Sequence, residues 1–267
     1  MLPPAARFAR PVAAVMTIAL VLAGCGDGAG DEGAELTVSA AASLRDAFEA
    51  YGEDLPGDQR FSFAGSDQLA AQIRQGARPD VFASANTDYP EQLAAEGLLA
   101  DPVVFALNEL VIATAPGSDI RSLADLSQPG LDLVIAAEGV PVGDYTREVL
   151  AKLPGGEGEA ILANVRSEES DVKGVIGKVA AGAADAGFVY SSDVGAADGQ
   201  VERVEIPPRL EPRVSYGIAM VADAPDPEGA REFIEGLLDG DGAGALADAG
   251  FLPPPRRASQ PTDGPSP

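Results

Sequence analysis

Residues 36–53 read LTVSAAASLRDAFEAYGE, and this segment gives the first indication of the fold. The apolar and β-branched residues over 36–39 predict a strand, and the amphipathic stretch over 44–53 predicts a helix directly after it. The same pattern occurs twice more, with strands and helices predicted over 60–63, 68–75, 80–84 and 89–96. Alternation of this kind predicts an α/β fold in which right-handed crossovers connect the strands of a parallel sheet.

A second set of alternating elements is predicted further along, over 131–136, 145–153, 172–181 and 187–190. Two longer β-rich runs, 109–114 and 214–221, separate the sets, and we expect them to pair with each other as hinge strands. Helices over 227–238 and 243–248 then return the chain to the first set. The sequence therefore predicts two lobes with parallel-core sheets joined by two hinge strands. We assign to them residues 35–108 with 217–252, and 109–216.

The N-terminal residues predict export. Arg7 and Arg10 precede an apolar run over 12–22, which has the length of a signal-peptide core and is short for a membrane span. The run leads into LAGC at 22–25, which resembles a bacterial lipobox. That resemblance implies a lipoprotein signal peptide over 1–24 and a lipid anchor on Cys25. We further expect a flexible acidic tether over 25–34 and a disordered Pro-rich tail over 253–267.

Composition excludes several classes of function. The chain of 267 residues has a net charge of −24, which argues against a nucleic-acid partner because phosphate binding needs Lys and Arg. It contains no His and one Cys. A Ser-His-Asp triad, an imidazole metal site and an intrachain disulfide are therefore impossible.

Small polar residues occur where predicted strands give way to helices. Four such segments are AAASL (40–44), FAGS (63–66), VPVGDY (140–145) and ESDVKG (169–174). Helix N-termini carry unpaired N–H groups and a partial positive charge, so each can hold an anion. Since ligands of open α/β sheets bind beyond the carboxyl ends of the strands, we expect these segments to converge on one cleft.

The chain resembles the periplasmic molybdate-binding proteins of bacterial ABC importers, which have the type II periplasmic binding protein fold. The matching segments are LTVSAAASLRDAF (36–48), FAGSDQLAAQI (63–73), PDVFASA (79–85), VPVGDYTREVLAKL (140–153), ESDVKGVIGKVAAGAADAGFVYSSDV (169–194) and VSYGIAMV (214–221). They follow the family's order and span nearly the whole predicted folded body.

The resemblance implies a tetrahedral oxyanion, molybdate or tungstate, held by neutral donors. Ser43 and Ser66 would supply hydroxyl and backbone N–H groups, Val142 and Val172 backbone N–H groups, and Tyr190 its phenol. It implies no catalysis and no cofactor, with molybdenum bound only as the oxyanion through these five residues. The expected protein is an extracytoplasmic monomer, anchored through Cys25, that delivers its ligand to a membrane permease.

Two departures and two alternatives accompany this interpretation. Asp67 and Asp144 stand beside the expected ligand groups, and a carboxylate that faced a dianion would weaken binding, so we expect Asp67 to point toward solvent. One alternative is a binding protein for another small ligand, such as sulfate or an organic acid. The other is a serine acyl-enzyme, because Ser170 and Lys173 match the S-x-x-K motif.

Overall fold

The structure, a computed structural model, describes residues 35–254. The predicted signal peptide, the lipid site Cys25, the tether and the tail beyond residue 254 lie outside the described residues and stay predictions. Between residues 35 and 254, the helices are all too short or too polar to cross a membrane.

The described chain alternates strands and helices as the sequence pattern predicts. The strands are β1 (Leu36–Ala41), β2 (Gln59–Ala64), β3 (Val81–Ser84), β4 (Val103–Asn108), β5 (Leu110–Thr114), β6 (Leu133–Ala136), β7 (Val165–Glu169), β8 (Ala186–Tyr190), β9 (Glu202–Glu205) and β10 (Val214–Met220). The α-helices are α1 (Arg45–Glu53), α2 (Ser66–Arg74), α3 (Asp88–Ala95), α4 (Pro141–Ala151), α5 (Glu157–Ala163), α6 (Val172–Ala180), α7 (Ser191–Ala196), α8 (Pro227–Asp239) and α9 (Asp241–Asp248).

The strands form two five-stranded mixed sheets built on one plan. The first has the order β2-β1-β3-β10-β4 and the second the order β7-β6-β8-β5-β9. In each sheet four strands run in one direction, and the remaining strand, β10 or β5, runs antiparallel to its two neighbours. We call each sheet with the helices packed on it the first and the second lobe. The predicted α/β fold with two parallel-core sheets is confirmed.

The two β-rich runs expected to pair with each other lie in different sheets. β10 pairs with β3 and β4, whereas β5 pairs with β8 and β9. The chain enters the second sheet directly from β4 through Glu109 and returns over 206–213, and each run becomes the antiparallel strand of the sheet that it enters. Residues 214–216, which we assigned to the second lobe, therefore pair within the first sheet.

A hydrophobic core continues from one lobe into the other. Its aromatic centre in the first lobe is Phe48 of α1, which packs edge-on against Phe233 of α8 with ring centroids 5.3 Å apart. A smaller cluster, which includes Leu69 and Phe82, holds α2 and α3 on that sheet. The helices α2, α4 and α6, from both lobes, all begin at one cavity.

Candidate anion-binding site

One cavity brings together all five residues that the sequence predicts for the site. Its empty space is about 210 Å³, including the part that opens to solvent. The lining residues come from both lobes, and they are Ala41, Ala42, Ser43, Ala64, Gly65, Ser66, Ala85, Val140, Pro141, Val142, Asp171, Val172 and Tyr190.

Helix starts surround the cavity. Ser66 is the first residue of α2, Val142 the second residue of α4, and Val172 the first residue of α6. Backbone N–H groups in the first turn of a helix have no acceptor within the helix, and the helix dipole gives that end a partial positive charge. Pro141 at the start of α4 fits this position because its missing N–H would have lacked an acceptor there. The arrangement can therefore hold an anion without any cationic side chain.

The two serines of the first lobe have their hydroxyl oxygens in contact with protein groups. Ser66 Oγ accepts a hydrogen bond from the backbone N–H of Ala85 at 3.1 Å, which leaves its own proton free to be donated. Ser43 Oγ lies 2.9 Å from the phenolic oxygen of Tyr216. Both serines are buried, so each hydroxyl sits at the wall of the cavity out of bulk water.

Tyr190 ends β8 in the second lobe and is 1% exposed. Its hydroxyl is buried and has no hydrogen-bond partner among the described residues. A buried donor left in this state costs about 1–3 kcal/mol, so the cavity contains a donor in need of an acceptor. Burial raises the pKa of the Tyr190 phenol well above its ordinary value, and the group therefore stays protonated.

A charged group lies beneath Tyr190. The buried carboxylate of Asp193 accepts a hydrogen bond from the Tyr190 backbone N–H at 3.3 Å and lies 3.3 Å from Lys173 Nζ. Burial raises the pKa of Asp193 to about 6, although Lys173 opposes the shift. Burial disfavours the charge of Lys173, but the carboxylates of Asp193 and Asp46 outweigh it and raise the lysine's pKa.

Contacts across the cleft hold the lobes together around the cavity. On one side, Lys173 Nζ of α6 lies 2.9 Å from Asp46 Oδ2 of α1. On the other, the hydroxyl of Tyr89 in α3 donates to the carbonyl of Gly139 at 2.6 Å. Lys173 Nζ is thus engaged by carboxylates rather than by Ser170, which gives the S-x-x-K interpretation no support.

The structure identifies a carboxylate that the sequence analysis missed. Asp171 lines the cavity, whereas neither Asp67 nor Asp144 does. Asp171 precedes α6, and its Oδ1 accepts from the backbone N–H of Gly174 at 2.9 Å, which makes it the N-cap of that helix. Its position before a helix start was the available signal. Asp67, expected to face solvent, is half-buried with Oδ1 inaccessible, and Asp144 Oδ1 accepts from the Gly139 N–H at 2.8 Å.

Comparison with known proteins identifies the family. A family profile described as "bacterial extracellular solute-binding protein" matches residues 36–252. The chain belongs to this family. A relative from Mycobacterium tuberculosis, named molybdate-binding protein ModA, is 40% identical over 227 residues, which cover 82% of this chain and 85% of the relative. The resemblance seen in the sequence motifs is therefore confirmed.

Solved structures agree on the fold of this solute-binding protein. The substrate-binding domain of a putative molybdenum ABC transporter from Clostridium difficile superimposes with a TM-score of 0.64 at 28% identity, covering 83% of this chain and 99% of that one. The periplasmic molybdate-binding protein of Azotobacter vinelandii gives a TM-score of 0.75 at 22% identity, covering 83% and 100%. These likenesses confirm the two-lobed type II periplasmic binding protein fold.

Proposed function

We propose that this chain captures molybdate outside the cytoplasm, binds tungstate as well, and delivers the oxyanion to the permease of an ABC importer. The observation that carries the proposal is the Tyr190 hydroxyl, a buried donor that has no partner in the described part of the chain and lines a cavity together with three helix starts. The name of the 40% identical relative supports the choice of ion.

In this proposal Ser43, Ser66 and Tyr190 donate their hydroxyl protons to the oxyanion, and Val142 and Val172 donate backbone N–H groups. All of these groups are neutral, so the charge of the dianion is balanced by oriented dipoles in a site with little water. The protein is the ligand's carrier as a monomer, with no cofactor and no nucleic-acid partner.

A cavity of donors also predicts selectivity. A protonated oxyanion such as hydrogen phosphate would bring an O–H for which the five contact residues offer no dedicated acceptor, which is costly when buried. Sulfate carries no proton, but its shorter bonds cannot reach every donor of a cage that fits molybdate. We therefore expect molybdate and tungstate to bind similarly, sulfate much more weakly, and phosphate not detectably.

Isothermal titration of the ligand-free protein with these four oxyanions tests the proposal. Sulfate affinity within about tenfold of molybdate would show a cage fitted to the smaller ion. Phosphate binding above sulfate would identify Asp171 as an acceptor turned to the ligand and the protein as a phosphate carrier. Binding of none of the four would refute the proposal.

The anchor proposal rests on the lipobox-like segment that ends at Cys25. Cys25→Ser should leave oxyanion affinity unchanged but release the protein from the membrane fraction or block its processing. A mature wild-type N-terminus other than Cys25 would contradict the anchor while leaving the binding proposal intact.

We also propose that the chain catalyses no reaction. The serine acyl-enzyme alternative needs Lys173 to activate Ser170, yet the lysine is paired with Asp46 and Asp193. A covalent probe for acyl-serine formation should leave wild-type protein unlabelled, and labelling that Ser170→Ala abolishes would revive the enzyme alternative.

A further inference from the structure

A second layer of polar side chains lies behind Ser43. The nearest is Tyr216 of β10, which is 0% exposed and whose Oη lies 2.9 Å from Ser43 Oγ. The pairing of β10 with β4 shifts register between Tyr216 and Gly217. Since a bulge re-aims the side chain at that point of a strand, the irregularity accounts for a phenol directed at a loop beyond the sheet.

The position of Asn108 decides which way the hydrogen bond between the two hydroxyls runs. Asn108 Oδ1 accepts from the backbone N–H of Glu109 at 2.9 Å, and Nδ2 donates to Ser192 Oγ at 2.9 Å. The amide therefore turns its N–H₂ group, not its carbonyl, to its remaining neighbours. Burial raises the pKa of the Tyr216 phenol well above its ordinary value, and the neighbouring Ser43 hydroxyl and Asn108 amide oppose that shift.

Between residues 35 and 254, the hydrogen-bond partner of the Tyr216 phenol is Ser43 Oγ, and the Asn108 carbonyl is already occupied, so Ser43 Oγ is the acceptor for the phenol proton. If Ser43 donated instead, a buried O–H of Tyr216 would be left without a partner, which costs about 1–3 kcal/mol. Tyr216 is therefore the donor, and the proton of Ser43 is left to point into the cavity.

We propose that Tyr216 and Asn108 are positioning residues that fix Ser43 as a hydrogen-bond donor, and that this relay makes the site reject protonated oxyanions. The inference rests on the proposed function and deepens it by naming what sets its specificity. Without the relay, the Ser43 hydroxyl could rotate and accept the proton of a ligand such as hydrogen phosphate.

Ser66 differs from Ser43 in the group that occupies its hydroxyl oxygen. Its oxygen is occupied by the backbone N–H of Ala85, which no side-chain substitution removes. The donor state of Ser43 depends on two side chains instead. Selectivity is therefore adjustable at Ser43 and fixed at Ser66.

Asn108→Asp is the most direct test because it keeps the shape and reverses the polarity. The new carboxylate can still accept from the Glu109 N–H, but it can only accept from Tyr216. The phenol would then donate to residue 108 and accept from Ser43, whose lone pair would face the cavity. We expect weaker molybdate binding and the appearance of phosphate binding, which is undetectable in the wild type, so that the preference for sulfate over phosphate falls by at least about tenfold.

The preference is measured at about pH 8, where phosphate is mainly a dianion with one proton, so that it matches sulfate in charge and size. The added charge of the carboxylate would weaken both ions together and leave their ratio unchanged. Phosphate binding that stays undetectable in Asn108→Asp while sulfate still binds would therefore overturn the relay.

Tyr216→Phe is the second test, and it keeps the ring that packs edge-on against Tyr190 and Phe251. We expect molybdate affinity to fall about 5- to 20-fold, and to fall no further when the change is added to Ser43→Ala. Tyr51→Phe removes a phenol of the same lobe far from the cavity and serves as the matched control, with affinity unchanged.

If Tyr216→Phe lowered molybdate affinity by the same factor in wild-type protein and in Ser43→Ala, the phenol would not be acting through the serine. Thermal unfolding of each variant shows whether it is folded when titrated. If wild-type protein binds oxyanions and the variants keep its selectivity, the relay alone is refuted. If wild-type protein binds none of the oxyanions, both the proposed function and the relay are refuted.

Discussion

The first lobe lines the cavity with two serine hydroxyls and the first turn of α2, whereas the second lobe lines it with the first turns of α4 and α6 and one phenol. The polar group at Ser43 or Ser66 is a property of the residue type. The N–H groups at Val142 and Val172 belong to the backbone and depend only on where α4 and α6 begin. The hydroxyl contacts can thus be removed by deleting one atom, whereas the backbone contacts of α4 and α6 can be removed only by moving a helix.

The layers behind these groups differ as well. Ser43 is backed by the neutral side chains of Tyr216 and Asn108, while Tyr190 is backed by the charged pair of Asp193 and Lys173. The neutral side chains behind Ser43 keep their protonation state at any pH near neutrality, whereas Asp193 behind Tyr190 gains or loses a proton as the pH changes. The two lobes should therefore respond differently to substitution, to pH and to salt.

The largest effect on molybdate affinity should come from Gly143→Ala, which would displace the start of α4. A Cβ there would lie 2.2 Å from the carbonyl oxygen of Ala137 and 2.6 Å from that of Ala136. Neither backbone atom can give way cheaply, so the helix start must move. We expect molybdate affinity to fall more than about 100-fold and stability to fall by about 1–3 kcal/mol, as titration and urea unfolding would show.

Gly177→Ala is the matched control, because a Cβ at this position in α6 of the same lobe meets open space. It should leave affinity unchanged and stabilise the helix slightly. If Gly143→Ala bound molybdate as the wild type does, the backbone of α4 would not be holding the ligand.

Ser43→Ala and Ser66→Ala should come next in size. Each removes one hydroxyl donor to a charged acceptor, worth about 1.5–3 kcal/mol, so affinity should drop about 10- to 150-fold for each. Tyr190→Phe should behave similarly, since it removes the third hydroxyl.

Val142→Ala and Val172→Ala are the controls in the second lobe, because the backbone N–H survives truncation of the side chain. Titration of all five variants ranks them. Two serine variants with wild-type affinity would contradict the assignment of the first lobe, and valine variants as weak as the serine ones would erase the contrast between the lobes.

The same contrast explains what the sequence could predict about the site. Polar side chains near the ends of strands indicate a ligand site, because α/β sheets bind ligands there. This signal identifies Ser43, Ser66 and Tyr190. Val142 and Val172 have no such signal, and only the family resemblance pointed to them. The role of Asn108 depends on its pairing with Val214 across the first sheet, which local sequence does not reveal.

The strands that escaped prediction lacked the expected pattern for physical reasons. In β9, ERVE, a single residue is buried, and β7, VRSEE, is half-exposed with charges along it. Both are edge strands, which need little apolar surface. β4 was missed because it runs into β5 through one residue and changes sheet there.

The charged support of the second lobe predicts a dependence of stability on pH. Asp193 has a pKa of about 6 when folded against 3.8 as its ordinary value, so the folded state holds a proton that the unfolded state has released. Its contribution to stability is complete below the lower pKa and is lost as the pH rises through the higher one. Asp193→Asn removes this titration.

Urea unfolding of both proteins at about pH 4.5 and pH 7 measures the effect. From pH 4.5 to pH 7, the unfolding free energy of Asp193→Asn should rise relative to that of the wild type. Molybdate affinity should change by less than about fivefold, because Lys173 would still be paired with Asp46. A constant difference between the two proteins would show that Asp193 does not titrate in this range.

Salt should have the smallest effect on molybdate affinity, and its sign tests whether backbone dipoles or a cationic side chain hold the ligand. The five predicted contact residues include no Lys or Arg, and Lys173 is neutralised by Asp46 and Asp193. The rest of the molecule, with its net charge of −24, repels a dianion, and added salt screens that repulsion. Molybdate affinity should therefore stay constant or rise by less than about threefold between low and physiological ionic strength. A steep loss of affinity over the same range would mean that Lys173 leaves its carboxylates and contacts the ligand, and the second lobe would then bind with a charge rather than with its backbone.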